Sequence, residues 1–431
     1  MKKRKIAIIS IVVALTILIS SMAFQATPDE NKLQNEIESK NQEKEEIITT
    51  FQGNENYLKT TGDGVVIFDT EEYMIGKQSL EISTKGDRIP EIVRITDISP
   101  PIDFRGKFLK AWLKISDRSA VDLLRITVSS DNFETSKNYW IHQRASSPTA
   151  KSFQDNKWSP ITISLTQTTG TTDLSKINAI EIKLKDKGKR PVSTWFNSLS
   201  LVDNNSKGIV TFTFDDAVGT QFTNAVPILS KYNYSATTFV PTEWVGRNAR
   251  LSIDQLKEMQ DVYGWDVSSH TRNHIDLKKN KNKDALENEL VKSKEFLIEH
   301  GFEKGAEHFA YPFGNFDNDL SMEIIKKHYK TARIVRGDIE TLPVADPYRL
   351  RPIYVLSYTP PSLVLDRIDK AIDNGDWAIL VFHGIVDNNA DDVQGKYLKS
   401  NFQKIVDGVY KKNVDVMTVS EVYNKFIETK S

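Results

Sequence analysis

Hydrophobic and polar residues alternate in two different ways along this chain. From about residue 51 to residue 205, short apolar segments follow a period of two and are separated by Gly, Asn, Asp and Pro, as in residues 64–68, 79–83, 108–115 and 179–184. No helix-length periodic segment interrupts them. This pattern predicts an antiparallel β-sandwich.

After residue 205 the pattern changes to apolar strands that alternate with amphipathic helices. Strands are predicted at residues 209–214, 236–240, 265–269, 308–311, 332–335, 353–356, 378–382 and 414–417. Helices are predicted at residues 220–232, 253–263, 283–300, 319–329, 361–374, 401–411 and 419–427. Such alternation predicts an α/β fold with a parallel sheet, and seven or eight repeats favour a closed or nearly closed (β/α) barrel over a doubly wound sheet.

The amino-terminal segment has the pattern of an export signal. Four cations at positions 2–5 precede an uncharged, mostly apolar run of 19 residues, 6–24. A signal peptide is expected from this order, but the run is also about long enough to span a bilayer, so a retained anchor stays open. Residues 27–50 are rich in acids and poor in apolar residues, which is typical of a disordered linker. The folded part is therefore expected outside the cell, secreted or anchored to the membrane.

These patterns divide the chain into four segments. Residues 1–26 are the signal peptide or membrane anchor, 27–50 the acidic linker, 51–205 the β-sandwich and 206–431 the α/β domain. The chain has 57 Lys and Arg against 58 Asp and Glu, so it has no net basic charge that would indicate nucleic acid. It has no cysteine, which excludes thiolate nucleophiles and Cys-ligated metals. Any metal must be bound by His, Asp or Glu.

Residues able to do chemistry follow four of the predicted α/β strands. Asp215 and Asp216 follow the first strand, His270 and His274 the third, the segment 311–314 the fourth and His383 the seventh. The carboxyl ends of parallel barrel strands lie at one mouth, so these groups are expected to converge there. No glycine-rich phosphate loop follows the first strand, which argues against a nucleotide site.

Two imidazoles four residues apart can face one metal ion. His270 and His274 have this spacing, and a carboxylate is the natural third ligand in a chain without cysteine. Adjacent side chains at a strand end point in different directions, so one of Asp215 and Asp216 is expected to bind the metal while the other stays free to act as a base. Three protein ligands leave a position open for water, as in catalytic zinc sites.

The ordered motifs resemble those of a known family. Thr213-Phe214-Asp215-Asp216, Ser269-His270-Thr271-Arg272-Asn273-His274, Tyr311-Pro312-Phe313-Gly314 and Leu380-Val381-Phe382-His383 are similar to motifs of the polysaccharide deacetylases of the NodB-homology type, carbohydrate esterase family 4. The resemblance covers about residues 207–428. It implies a distorted (β/α) barrel that removes acetyl groups from N-acetylated sugar polymers.

The resemblance also implies a role for each matching residue. Asp215 is the expected general base, His383 the general acid, and Asp216, His270 and His274 the ligands of Zn²⁺, with Co²⁺ or Ni²⁺ as alternatives. The oxyanion and substrate site is expected at Tyr311, Pro312 and Phe313, with Val381 beside the acetyl methyl. The expected partner is an N-acetylated polysaccharide, with the protein itself a monomer that binds no nucleic acid.

Two positions depart from the family pattern. The third motif usually carries an Arg that orients the base, and Ala310 stands there instead, so Arg351 or Arg333 is the candidate replacement. The fourth motif has no clear match, with Asp338 and Asp346 as nearby candidates. These departures keep one alternative open, an inactive carbohydrate-binding surface protein. A separate alternative is an O-acetyl esterase of the xylan type.

The predicted sandwich resembles the jelly-roll modules that accompany carbohydrate-active enzymes. It contains four tryptophans, Trp112, Trp140, Trp158 and Trp195, and aromatic rings are common platforms for sugars. Core packing is the preferred interpretation for each of them. No ligand residue is therefore assigned in this region.

Overall fold

The computed structural model describes residues 45–52, 57–143, 153–164, 168–204, 206–316, 319–335, 337, 339–388 and 395–428. The predicted signal or anchor and most of the predicted linker lie outside these residues. Among the described residues, every helix is too short or too polar to cross a bilayer. Residues 47–431 form one compact unit, and only Glu45 and Glu46 of the other unit, residues 1–46, are described.

The amino-terminal half of the described chain consists of two antiparallel sheets. Their strands are β1 (Glu45–Thr49), β2 (Tyr57–Thr61), β3 (Val65–Asp69), β4 (Ser79–Ser83), β5 (Glu91–Ile95), β6 (Lys107–Ile115), β7 (Val121–Ser129), β8 (Ser136–Gln143), β9 (Ser159–Ile163), β10 (Thr168–Thr171), β11 (Ala179–Asp186) and β12 (Ser193–Asp203). One sheet has the order β3-β4-β12-β6-β9, with β1 as its sixth strand, and the other has the order β10-β8-β7-β11-β5-β2.

One hydrophobic core joins the two sheets into a sandwich. Leu109 and Leu113 of β6 and Ile126 and Ile182 of β7 and β11 belong to the same buried cluster. The period-two pattern produces this core, because alternate residues of a strand point to opposite faces of the sheet. The sequence predicted this antiparallel arrangement, while the jelly-roll assignment stays a prediction.

The four sandwich tryptophans do not fill this core. Trp112, Trp140, Trp158 and Trp195 are all partly exposed, and none belongs to the buried cluster. The expectation of core packing was wrong for them, because strand alternation turns Trp112, Trp140 and Trp195 to the outer faces.

The structure also differs from the predicted linker at its carboxyl end. Strand β1 lies inside the segment 27–50 that was expected to be disordered. Ile48 packs against the sandwich core, and Phe51, two residues after the strand, is fully buried. These apolar side chains provide the burial that the acidic residues before them lack.

The carboxyl-terminal half is an α/β domain. Its strands are β13 (Ile209–Asp215), β14 (Thr237–Val240), β15 (Asp266–Ser269), β16 (His308–Ala310), β17 (Thr331–Arg333), β18 (Ile353–Tyr354), β19 (Trp377–Phe382), β20 (Ile385–Val386), β21 (Tyr397–Leu398) and β22 (Asp415–Val416). Its α-helices are α1 (Val226–Ser230), α2 (Ile253–Asp261), α3 (Lys283–Glu299), α4 (Glu303–Ala306), α5 (Asp319–His328), α6 (Pro361–Asn374), α7 (Lys399–Lys411) and α8 (Val419–Val422). Single π-helical turns, Gln221–Ala225 and Tyr423–Ile427, precede α1 and follow α8.

Eight of these strands form one parallel sheet. Their order is β17-β16-β15-β14-β13-β19-β18, with β22 also paired to β13. The order of the described strands does not close on itself, so the sheet is a curled, incomplete barrel rather than a closed one. Strand β13 is central and every one of its residues is buried, as expected for a parallel strand covered on both faces.

Polar contacts connect the sandwich to the α/β domain. The Ser164 hydroxyl donates to Asp376 Oδ2 at 2.6 Å, and both residues are buried. Arg349 donates to the Ser159 hydroxyl at 3.1 Å, and Arg351 donates to the Thr162 carbonyl at 3.3 Å. Strand β9 and the residue after it therefore lie directly against the α/β domain.

Candidate functional site

The reactive residues predicted from the sequence lie at one edge of the parallel sheet. Asp215 ends β13, His270 follows β15 and His383 follows β19. Parallel strands present their carboxyl ends on the same side, so these three positions share one edge. They line an open cavity of about 490 Å³.

Three side chains in this cavity are arranged like a metal site. Ligand atoms of Asp216, His270 and His274 all lie within 4.8 Å of one another. His274 Nε2 is 3.2 Å and His270 Nε2 is 3.7 Å from Asp216 Oδ1. Neither carboxylate oxygen of Asp216 has a hydrogen-bond partner among the described residues, although both are buried. Buried oxygens left without a donor fit a cation that the two imidazoles also face.

The protonation states of Asp216 and His270 suit a metal. Burial lowers the pKa of His270 to about 4, so its ring is neutral at neutral pH. Its Nδ1 is 2.7 Å from the Ala310 carbonyl, which leaves Nε2 toward Asp216. Burial alone would raise the pKa of Asp216, but the imidazoles of His274, His270 and His383 hold that pKa well below its usual range. A charged carboxylate and neutral imidazoles are the forms that bind metal ions.

The backbone between the two imidazoles is fixed by a buried acid on α3. Glu289 accepts hydrogen bonds from the Asn273 backbone N–H at 2.8 Å and from the Asn273 side-chain amide at 2.7 Å. Within the same loop the His274 N–H donates to the Thr271 hydroxyl at 2.9 Å. Thr271 and His274 both have positive φ, so the loop is a compact turn rather than a helix. Glu289 was not predicted, because nothing in the motif points to a residue sixteen positions later.

Asp215 is held by an arginine from another strand. Arg333 Nη2 donates to Asp215 Oδ1 at 2.5 Å, and both side chains are 1% exposed. Asp215 Oδ2 is buried and has no partner among the described residues. Arg351, the other candidate from the sequence, pairs with Glu340 instead. Arg333 is therefore the cation that contacts Asp215.

His383 lines the same cavity and lies close to Asp216. Its Nε2 is 3.9 Å from Asp216 Oδ2, and its side chain is 12% exposed. The ring of Tyr354 lies 5.9 Å from the ring of His383. A Cβ at Gly395 would lie 2.6 Å from His383 Cγ, so this glycine gives the imidazole its space. His383 can reach a group bound in the cavity through solvent-accessible space.

The predicted oxyanion and acetyl-pocket residues are only partly in the cavity. Phe313 lines it, is 57% exposed, has a positive φ, and its ring lies 4.7 Å from that of His274. Tyr311 and Val381 are fully buried and, like Pro312, are not among the lining residues. Tyr311 instead donates its hydroxyl to the Tyr348 carbonyl in the core.

The lining contains apolar residues that the sequence did not single out. They are Phe316, Ile334, Val335 and Tyr354. Ile334 and Val335 directly follow β17, so they come from the same strand end as Arg333. Of the two candidates for the fourth motif, Asp346 pairs with Arg349 and is not in the lining, and Asp338 lies outside the described residues.

Comparison with known proteins identifies this part of the chain. Residues 203–332 match the family model described as polysaccharide deacetylase. The chain contains a polysaccharide deacetylase domain. A poly-β-1,6-N-acetyl-D-glucosamine N-deacetylase of Staphylococcus epidermidis is 32% identical over 186 residues, which are 40% of this chain and 58% of the relative.

Further relatives have related descriptions. A protein of the same description from Staphylococcus aureus strain MRSA252 is 32% identical over 33% of this chain and 48% of its own length. The chain therefore spans about half the length of these curated relatives. Among solved structures, the Streptococcus pyogenes deacetylase PplD in complex with acetate is 30% identical, over 37% of this chain and 69% of that chain, with a TM-score of 0.33.

The sequence motifs of the deacetylase domain predicted six of the residues that line its cavity. Asp215, Asp216, His270, His274, Phe313 and His383 all line it. Arg333 was one of two candidates, and the ion pairs distinguish them, because Arg333 contacts Asp215 and Arg351 contacts Glu340. The pairing of β16 with β17 explains this choice, since it places Arg333 opposite Ala310. A local sequence pattern could not have selected it.

Proposed function

We propose that this chain is a metal-dependent hydrolase that removes acetyl groups from N-acetylglucosamine units of a polysaccharide and releases acetate. The observation that carries the proposal is the unpartnered Oδ2 of Asp215 beside the Asp216, His270 and His274 cluster in one open cavity. The activity for which the staphylococcal relatives are named favours poly-β-1,6-N-acetylglucosamine as the substrate.

A bound metal would be held by Asp216, His270 and His274, and this donor set suits Zn²⁺, with Co²⁺ or Ni²⁺ as alternatives. When bound, such an ion acts as a Lewis acid toward the acetyl carbonyl and lowers the pKa of water. Asp215 Oδ2 then accepts the proton of the attacking water, while Arg333 keeps Oδ1 occupied and the carboxylate oriented. Asp215 and Asp216 have different roles because their neighbours differ: Asp215 contacts Arg333, whereas Asp216 lies beside His270 and His274.

The remaining residues act on the substrate itself. His383 donates a proton to the departing amine, which is a poor leaving group until it is protonated. The apolar side chains of Ile334 and Val335 accommodate the acetyl methyl, a role that the sequence had suggested for Val381. The backbone N–H of Phe313 is the proposed donor to the oxyanion.

The location and domain organisation are also proposals. Residues 1–26 export the chain as a signal peptide or anchor it, and the folded part works outside the cell as a monomer. The division at residue 206 into sandwich and deacetylase domain is supported by core clusters that do not share residues.

Acetate release by the full chain tests the proposal. The zinc-loaded protein and Asp215→Asn are each incubated with poly-β-1,6-N-acetylglucosamine, acetylated peptidoglycan and acetylxylan. Release from an N-acetylated polymer by the wild type but not by Asp215→Asn supports the proposal. Release from acetylxylan alone would indicate an O-acetyl esterase, and no release from any polymer would favour an inactive sugar-binding protein.

A further inference from the structure

The sandwich has an outward-facing sheet surface that carries basic and aromatic side chains. Inward residues of β5, β7, β8 and β11 lie in the core, so the alternate residues face outward. Cross-strand registers arrange these outward residues in two rows. The first row consists of Arg94, Glu181, Thr127, Asn138 and Thr169. The second row consists of Ile92, Lys183, Arg125 and Trp140. We call the two rows together the basic-aromatic face.

This face has more positive than negative charge. The Arg94 guanidinium donates from Nε and Nη2 to Glu181 Oε2 at 2.9 and 2.8 Å, and Arg125 Nη2 lies 3.4 Å from Glu181 Oε1. The Glu181 carboxylate, which is 6% exposed, thus contacts both guanidinium groups. With Lys183 the two rows carry three cations and one anion, a net charge of +2. Arg125 Nε is buried and has no hydrogen-bond partner among the described residues.

Two aromatic rings lie beside these cations. The Trp140 indole N–H donates to the Thr169 hydroxyl at 2.9 Å, which fixes the ring on the sheet, and the Arg125 guanidinium carbon is 5.5 Å from the ring centroid. At the edge of the face, the Arg94 guanidinium carbon lies 4.4 Å from the centroid of the Phe133 ring. The backbone of Phe133 has a positive φ, and its N–H donates a hydrogen bond to the Ser129 hydroxyl.

We propose that the basic-aromatic face binds an anionic polysaccharide. Guanidinium groups recognise carboxylates and phosphates through paired hydrogen bonds, and fixed aromatic rings stack on the apolar faces of sugars. A deacetylated glucosamine polymer is cationic and would be repelled by this face. The ligand is therefore chemically distinct from the product of the cavity, and the proposal does not depend on the proposed activity.

The test uses polymers with one backbone and different charges. Binding of the full chain to carboxymethyl dextran, dextran phosphate and uncharged dextran is measured by titration calorimetry, with polyacrylate as an anion without sugar rings. The variants are Arg125→Gln, which leaves Arg94 to neutralise Glu181, and Trp140→Ala. Trp195→Ala on the other sheet is the matched control, because its ring also lies beside a cation, Lys114 Nζ, at 4.7 Å. Melting curves confirm that each variant is folded.

We expect at least one anionic dextran to bind, with the affinity falling about tenfold or more in Arg125→Gln and in Trp140→Ala but not in Trp195→Ala. The two anionic dextrans distinguish carboxylate from phosphate recognition. Equal binding of uncharged dextran, or no binding of either anionic dextran, would overturn the proposal. Binding of polyacrylate as tightly as the dextrans, with no effect of Trp140→Ala, would also overturn it, because charge alone would then explain the interaction.

Discussion

The guanidinium of Arg333 binds one carboxylate oxygen of Asp215, a residue that lines the cavity, and leaves the other oxygen without a partner among the described residues. This pairing replaces an arginine that the family motif would place at position 310. Ala310 and Arg333 are opposite each other in the pairing of β16 with β17. The cation therefore lies on the neighbouring strand, at the same level of the sheet as position 310.

Removing this cation is predicted to affect the reaction step more than substrate binding. Arg333→Ala should lower kcat for acetate release by on the order of 10²-fold with little change in KM, because Arg333 orients the base and does not line the cavity. Ala310→Arg in the same variant should restore part of kcat by supplying the cation from the adjacent strand. Arg351→Met, which breaks another buried ion pair, is the control: it should reduce stability but not kcat per folded molecule. Equal kcat losses in both arginine variants would contradict the positioning role.

The contribution of His383 to the rate of acetate release is predicted to increase with the basicity of the leaving group. His383→Gln should lower acetate release from an N-acetylated polymer by about 10² to 10⁴-fold. Its effect on an activated aryl acetate should be much smaller, because a phenolate departs without being protonated. Kinetics on both substrates measure this difference, and an equal loss on both would show that His383 is not the acid.

Gly395 provides an independent test of the same imidazole. Gly395→Ala adds a Cβ that would lie 2.6 Å from His383 Cγ, at a position with φ of +60°. The variant should therefore reproduce part of the His383→Gln defect on the amide substrate although it removes no reacting group. A wild-type rate on that substrate would show that the position of the ring is not critical.

The contact between the sandwich and the deacetylase domain is predicted to contribute to stability. Ser164→Ala removes the hydroxyl that donates to buried Asp376, which should lower the free energy of unfolding by about 1 to 3 kcal/mol. Ser175→Ala is the matched control, because its hydroxyl donates to Asp173 at the same 2.6 Å but in an exposed site. Denaturant titration compares the two variants. Similar losses would show that burial does not strengthen this contact.

Acid should destabilise the deacetylase domain through His308. Burial lowers the pKa of His308 to about 4, against an ordinary value of 6.5. Between these values the unfolded chain binds a proton that the folded chain does not, so stability falls as the pH falls through this window. His308→Gln should therefore lose less stability than the wild type between pH 7 and pH 5, by about 2 kcal/mol. Parallel pH profiles in denaturant melts would refute this.

The sequence predicted the parts of the structure that depend on local pattern. All eight strands of the parallel sheet were located to within a few residues, because buried parallel strands are continuous apolar runs, and the motif residues followed from their places at strand ends. The two short strands β20 and β21 were not predicted. Strand β5 and the inner burial of Tyr311 were missed, because both depend on contacts with residues distant in the chain. The outward position of Trp140 likewise depends on a register that includes a bulge beside Arg125.

The central claim is that two adjacent aspartates have different roles, Asp216 as a metal ligand and Asp215 as the base. Metal content and acetate release from poly-β-1,6-N-acetylglucosamine, measured together for the wild type, Asp215→Asn and Asp216→Asn, test it most directly. Asp215→Asn should keep about one metal ion per chain and lose acetate release, whereas Asp216→Asn should lose both. Retained acetate release in Asp215→Asn, or wild-type metal content in Asp216→Asn, would contradict the account.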